Sequence, residues 1–297
     1  MEQISEVMSS FIASLNDNKI VRLYENVPQG KRLRAKLILK IAKTSPDAVK
    51  LAAIVEMIHA ASLLHDDVID DANTRRGKES FNAKFGSKSA IMMGDILYSV
   101  AFSRLAEFPK DVAACLSNAV ALLSAGELSD VELSKRFNTD RSRYLNMIYR
   151  KTASLIEACA ASAAMLEGYN SDDFALYGKN LGLAFQIIDD ILDITSSEKI
   201  LGKPALHDFK EGKVTLPYLY MYKKCDEKDK EYMTTLYKKS LNSYESAWIK
   251  EKMKEFGAIE RSVKEAKKLG YEALKAVEKY EIDGLREIIT QMIERDF

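Results

Sequence analysis

The chain has 297 residues, 47% of them hydrophobic, which is enough to bury a substantial core. Its 44 Lys and Arg balance its 44 Asp and Glu, so no overall charge points to nucleic acid or to an anionic membrane surface. The three cysteines, Cys115, Cys159 and Cys225, are scattered without metal-ligand spacing and read as reduced thiols of a cytoplasmic protein. The N-terminus, MEQISEVMSS, is acidic and amphipathic, unlike a signal peptide. No apolar run reaches the ~18 residues of a membrane span without interruption by charge, so no transmembrane segment is expected.

With five prolines, 13 glycines and no alternating β-branched runs, the sequence predicts helix from end to end. An amphipathic first helix should run to about Tyr24, followed by the turn NVPQG, the basic cluster Lys31-Arg32-Leu33-Arg34 and a short helix over 35–43. A long helix from Pro46 follows, then a loop carrying Arg75 and Arg76. Further helices are predicted over 89–107, 111–136, 140–167 and 171–194, with Pro109, Thr139, Gly168 and Ser171 at the breaks. A second loop, 196–215, contains Lys199, Lys203, Lys210 and Lys213. The remaining helices are shorter, more charged and without evident chemistry. No repeat, low-complexity tract or domain boundary stands out, so one all-α domain over 1–297 is expected.

The helix from Pro46 to Asp71 organises this plan. Ser45 suits the N-cap, Pro46 the first helical position, and Asp47 the positive end of the dipole. From Leu51 to Leu64 apolar residues fill nearly every position, as in a helix buried all round. At about 100° per residue His59, Asp66 and Asp70 fall on one line, with Ser62 beside it. A polar line on a buried helix should face a polar cavity or a ligand. Asp66/Asp70 and Asp67/Asp71 are like-charged i, i+4 pairs, each costing roughly 3 kcal/mol at about 6 Å and an effective dielectric near 20. A cation is therefore expected among them, and oxygen-only ligands favour Mg²⁺. The competing reading is a solvated acidic helix end, which the C-terminal dipole disfavours.

The same DDxxD pattern returns as Asp189-Asp190-Ile191-Leu192-Asp193, near the end of another apolar helix, with Gln186 one turn earlier on the face of Asp189 and Asp193. One DDxxD is a weak signal; two, each closing a buried helix and followed by a basic loop, are a strong one. Two carboxylate clusters facing each other across a bundle would hold Mg²⁺ on a polyphosphate. Lys31, Arg34, Arg75, Arg76, Lys151, Lys203 and Lys213 supply the basic complement. Any one of these could be a solvated surface charge, and His59 a satisfied core histidine; their concentration beside the acidic motifs favours phosphate binding.

In GKRLR, HAASLLHDDVIDDANTRRG, MMGDILYSVAF, YRKTASLIEAC, FQIIDDILDIT and LGKPALHDFKEGKVTLP, in that order, the chain strongly resembles the trans-isoprenyl diphosphate synthases. The resemblance implies the all-α isoprenoid synthase bundle with a central active-site cavity. It implies three Mg²⁺ ions, held by Asp66, Asp67, Asp70, Asp189, Asp190 and Asp193 on an allylic diphosphate. It assigns the allylic side to Arg75, Lys151, Thr152, Gln186, Lys203 and Lys213, and the isopentenyl diphosphate side to Lys31, Arg34, His59 and Arg76. Asp66, Asp70, Asp189, Lys151 and Lys203 become the catalytic set, and a homodimer through the helices around 89–136 is expected. Two departures, GKRLRA without a proline after the second arginine and GKPALHD for the more usual GKPxGxD, remove no ligand.

The implied reaction ionises the allylic substrate, with farnesyl diphosphate the expected starter, condenses it with isopentenyl diphosphate and then eliminates a proton. A terpene cyclase would need only the first DDxxD and no isopentenyl site. A noncatalytic helical partner subunit would be expected to have lost an acidic motif or Lys203. Product length follows from the positions below the first motif. Short-product members of the family commonly place aromatic rings there, whereas this chain has Ala61 and Ser62. With a helical turn of about 5.4 Å per isoprene unit, an open path predicts a product of about eight units, near C40. The alternatives are a shorter C20 product, or small residues that merely allow close packing.

Overall fold

The computed structural model describes residues 1–75, 77–195 and 206–293. Among these residues the architecture is all-α apart from one hairpin of two-residue strands, and the described chain divides into two compact units. The first comprises Met1–Val120, Ala158–Ala175 and Ile282–Gly284; the second comprises Ala121–Glu157, Leu176–Glu281 and the chain from Leu285. Arg76 and Lys203 lie outside the described residues.

In the first unit the helices are α1 (Glu2–Ala13), α2 (Asn18–Tyr24), α3 (Leu33–Ile41), α4 (Pro46–Ile69), α5 (Phe81–Phe85), α6 (Ser87–Leu105) and the start of α7 (Lys110–Leu133). The single first helix expected to Tyr24 is in fact two. Asn16 adopts φ 55°, and Asp17 restarts the chain by accepting from Lys19 N at 2.8 Å. Helix α4 is the centre, packed on α1, α3, α5 and α6. Ser45 accepts from Ala48 N at 3.1 Å and Pro46 opens the helix, as its sequence indicates. Residues 51–58 are all buried, whereas His59, Ser62 and Asp66 are partly exposed and Asp70 is exposed. The polar line is thus the open edge of the core helix.

The end of α4 differs from the expected continuous helix. Asp70 is the C-cap and Asp71 takes φ 48°. Ala72 N donates to Asp67 O at 2.9 Å and Asp71 N to Val68 O at 3.4 Å, the paired bonds of a Schellman motif. Asp71 therefore leaves the helix, and the Asp67/Asp71 repulsion is relieved by the turn. A hairpin follows, β1 (Thr74–Arg75) against β2 (Lys78–Glu79), with Gly77 at φ 73°. The chain after it is tied back to α4 and to the turn that ends it: Asn82 Nδ2 donates to Asp67 O and Ala72 O, and Ser80 Oγ donates to Ala72 O at 2.6 Å.

The second unit holds the rest of α7, α8 (Arg141–Ile148), a π-helical turn (Tyr149–Ala153), the start of α9 (Ser154–Leu166) and most of α10 (Ser171–Thr195). Its described residues also form α11 (His207–Lys210), α12 (Leu216–Lys224), α13 (Glu227–Leu236), α14 (Ser243–Glu255), α15 (Ala258–Val277), a 3-10 turn (Glu278–Tyr280) and α16 (Leu285–Ile293). The helix predicted over 140–167 is broken by the π-turn, whose extra residue per turn re-aims its side chains. Two glycines let neighbours approach it. A Cβ on Gly126 of α7 would stand 2.2 Å from Lys151 N, and one on Gly182 of α10 would stand 2.5 Å from Ala153 Cα.

Tolerating up to two charged residues, α4 and α7 are long and apolar enough to cross a membrane. The apolar stretch of α4 is 67% buried within the protein, the packing of a core helix, whereas that of α7 is 33% buried.

Candidate active site

The end of α4 gathers one cluster. Arg75, delivered by the hairpin, donates Nε to Asp67 Oδ1 at 2.6 Å and Nη2 to Asp66 Oδ2 at 3.3 Å. A protein cation thus provides part of the compensation that the aspartates require. Asp67 is buried, and burial lifts its carboxyl above the usual range; Arg75 draws it back, while Asp66 and Asp70 add to the lift. Asp66 and Asp70 sit one turn apart on the open edge.

In the same unit Lys31 is exposed, and Arg34, on α3, is buried. Burial lowers the Arg34 guanidinium from its ordinary value, with Cys159 and Glu56 opposing the shift. Among the described residues its Nε has no hydrogen-bond partner. Glu56, a buried carboxylate of α4 that sequence reasoning passed over, accepts from Ala35 N at 3.1 Å. Because Arg32 provides no side-chain cap, Glu56 satisfies the start of α3 from another helix. The signal was present as a lone carboxylate inside the apolar run 51–64. His59 is partly exposed, its carbonyl accepting from Ser62 Oγ at 2.8 Å, and Ala61 is fully buried.

The second unit carries the other set. Lys151 and Thr152 lie on the π-turn. Lys151 Nζ stands 2.7 Å from Asp130 Oδ2 and 2.8 Å from Glu127 Oε2, both on α7. Thr152 Oγ1 donates to Gln186 Oε1 at 2.8 Å, and Gln186 Nε2 donates to Asp190 Oδ1 at 2.9 Å. Tyr144, on α8, donates to Asp190 Oδ2 at 2.5 Å. Burial pushes the Asp190 carboxyl well above its usual range and Asp208 adds to this, against the hydrogen bonds from Tyr144 and Gln186.

Asp193 is buried as well, and its Oδ2 accepts from Asp208 N at 3.1 Å, tying α10 to α11. Lys213 pairs with Glu211 at 2.8 Å, and His207 pairs with the same carboxylate at 2.9 Å. Tyr144, Glu127, Asp130 and Asp208 were not singled out from sequence, since each is a lone polar residue in ordinary helical spacing.

The six motif aspartates thus divide. Asp67, Asp190 and Asp193 are buried and hydrogen-bonded to the protein, while Asp66 and Asp189 are partly exposed and Asp70 is exposed. Among the described residues no group of three or more His, Cys, Asp or Glu forms a ready metal cage. The donors still suit Mg²⁺, which takes one or two carboxylates and completes its shell with water and phosphate oxygens.

An all-α scaffold that carries an aspartate cluster near the end of each of two long helices, the first cluster paired with Arg75, fits the class of enzymes that handle diphosphate esters. The chain belongs to the polyprenyl synthetase family, which it matches over residues 19–254, and it is a prenyltransferase of the all-α isoprenoid synthase fold. It is similar to the octaprenyl pyrophosphate synthase of Helicobacter pylori, at 40% identity and a TM-score of 0.93 over 99% of each chain. The polyprenyl synthase of Caulobacter crescentus, solved with calcium and isoprenyl diphosphate, is 30% identical with a TM-score of 0.88, over 98% of this chain and 92% of that one. The geranylgeranyl diphosphate synthase of Sulfolobus acidocaldarius is 33% identical over 252 residues, 78% of this chain and 75% of its own.

Proposed function

We propose that the protein condenses an allylic diphosphate, farnesyl diphosphate as starter, with successive isopentenyl diphosphates to give an all-trans polyprenyl diphosphate near C40. The observation that carries this reading is the division of the acidic motifs: Asp66, Asp70 and Asp189 are the less buried of the six, Asp66 also accepting from Arg75, while Asp67, Asp190 and Asp193 are buried and hydrogen-bonded within the protein. The length assignment rests on Ala61 and Ser62, small residues one turn below Asp66, and is supported by the likeness to the octaprenyl synthase. Likeness to a geranylgeranyl synthase supports the shorter C20 product as the second reading.

Asp66, Asp70 and Asp189 would hold Mg²⁺, three ions by family resemblance, with Asp67, Asp190 and Asp193 behind them. When bound, the metal would supply positive charge to the departing diphosphate. Arg75 and Lys151, with Lys203 and Lys213, would bind that diphosphate and stabilise its developing charge. Lys31, Arg34, His59 and Arg76 would hold isopentenyl diphosphate, and the unpartnered Nε of Arg34 suits an incoming oxyanion.

In the reaction the allylic C–O bond breaks and the diphosphate leaves with the electron pair. The isopentenyl double bond then forms the new C–C bond, and a proton leaves the adjacent carbon for the departed diphosphate. No protein nucleophile is needed. We further propose one catalytic domain over 1–297, cytoplasmic, acting as a homodimer. Leu128 and Val131 of α7, 70% and 36% exposed, supply apolar surface for that association. Incubation with farnesyl diphosphate, labelled isopentenyl diphosphate and Mg²⁺ tests the reading. Label should enter an extended allylic product, stop with chelator and resume with added Mg²⁺. Unchanged isopentenyl diphosphate alongside a cyclised hydrocarbon would contradict it.

A further inference from the structure

The second unit contains a polar chain whose innermost member no sequence pattern marks. Tyr144 is 1% exposed, and its hydroxyl ends a series of three hydrogen bonds: Tyr144 to Asp190, Gln186 to Asp190, and Thr152 to Gln186. The series has a direction. Asp190 accepts at both oxygens, so the Gln186 atom facing it must be the amide nitrogen, and the carbonyl oxygen then faces the hydroxyl of Thr152. A primary amide has two N–H donors. One is spent on Asp190, so the partly exposed Gln186 keeps a second N–H with a fixed orientation.

We infer that Tyr144 is a positioning residue. By holding Asp190 as an acceptor, it fixes the polarity of the Gln186 amide and presents the remaining N–H to the diphosphate of the allylic substrate. This rests on the proposed function, which places Gln186 and Thr152 on the allylic side. Tyr144 itself is buried and reaches no substrate. Without its hydroxyl, Asp190 keeps one of its two donors in a buried setting and no longer has a single favoured rotamer. The Gln186 amide is then free to flip, turning a carbonyl oxygen toward a negatively charged ligand in part of the population. The ring of Tyr144 fills its place equally well as phenylalanine, so packing is kept.

The test is calorimetric binding of farnesyl thiodiphosphate, an analogue that resists ionisation, to the full chain with Mg²⁺, together with steady-state constants for both substrates. Tyr144→Phe should weaken analogue binding about tenfold while leaving the KM for isopentenyl diphosphate and the helical circular dichroism unchanged. In a Gln186→Ala background the same substitution should have no further effect, because its route is gone. Asp190→Asn, which cannot accept at both positions, serves if Tyr144→Phe fails to fold: its weakening at saturating Mg²⁺ should likewise vanish in the Gln186→Ala background, whereas a loss through the metal would persist there. Unchanged analogue affinity in both single variants, or full additivity of Tyr144→Phe with Gln186→Ala, would overturn the inference. A native chain that binds neither the analogue nor isopentenyl diphosphate would instead overturn the proposed function.

Discussion

Replacing Gly126 with alanine should damage catalysis far more than folding. The added Cβ would stand 2.2 Å from Lys151 N and 2.7 Å from Lys151 Cα, where ordinary contact begins at 3.4 Å. Helix α7 and the π-turn must therefore separate by about 1.2 Å, the difference of those two distances. The atoms that must yield are backbone, so no side-chain rotation relieves the clash. Overpacking of this kind costs about 1–3 kcal/mol, a loss of several degrees in Tm. The π-turn carries Lys151 and Thr152, so its shift strains the Lys151 ion pairs to Glu127 and Asp130 and the 2.8 Å bond from Thr152 to Gln186. A misplacement of about 1 Å at a catalytic group costs on the order of 100-fold in rate. Gly168→Ala is the control. Nothing lies within 4 Å of its added Cβ, but φ is 71°, so backbone strain of about 1–2 kcal/mol lowers stability without touching the site. Initial rates of labelled isopentenyl incorporation, taken well below both melting temperatures, should fall about 100-fold in the first variant and stay normal in the second. Native kcat and Tm in Gly126→Ala, or equal rate losses in the two variants, would show that the close approach of α7 does not set the position of Lys151.

Single Asp66→Ala, Asp70→Ala and Asp189→Ala substitutions should each lower turnover by orders of magnitude with helicity intact; near-native turnover in the Asp66/Asp70 double variant would remove the metal assignment. Loss of Lys31, Arg34 or His59 should raise the KM for isopentenyl diphosphate more than that for the allylic substrate, and loss of Lys151 or Lys203 should do the reverse; equal changes in steady-state kinetics would undo the partition. Burial alone would lift Glu211, but His207 and Lys213 outweigh it and bring the carboxyl from 4.5 down to about 2. Because the folded pKa lies below the unfolded one, Glu211 stabilises the protein above pH 4.5 and loses that contribution as pH falls through about 2. Glu211→Gln should therefore flatten the decline of Tm across that interval, as read by thermal denaturation.

Much of this organisation was legible in the sequence. Ser45 and Pro46 announce the start of α4 because an N-cap acceptor and a fixed φ have local causes. The polar line on α4 is equally local, since 100° per residue puts His59, Asp66 and Asp70 on one edge. That Asp66 and Asp67 diverge also follows from this angle. Which of them turns inward depends on Arg75, and the hairpin that delivers Arg75 has strands of two residues, too short for alternation to register. Asp71 escaped for a similar reason, as a Schellman turn usually advertises itself with glycine. The π-turn at Tyr149–Ala153 interrupts a run whose apolar periodicity continues on both sides, so its signal lay in Gly126 and Gly182, distant in sequence. Glu56 read as an exception within an apolar run because the helix end it caps lies 21 residues earlier.

Product chromatography reads the length of the chain that the protein makes. The native enzyme is incubated with farnesyl diphosphate, excess labelled isopentenyl diphosphate and Mg²⁺, and the dephosphorylated alcohols are separated by chain length beside those of Ala61→Phe and Ser62→Phe. All-trans alcohols of about eight isoprene units are expected from the native chain, shortened to about three or four when a ring closes the path roughly one helical turn, about 5.4 Å, below the metals. A native product that stops at C20, or an unchanged length in both active variants, would contradict it.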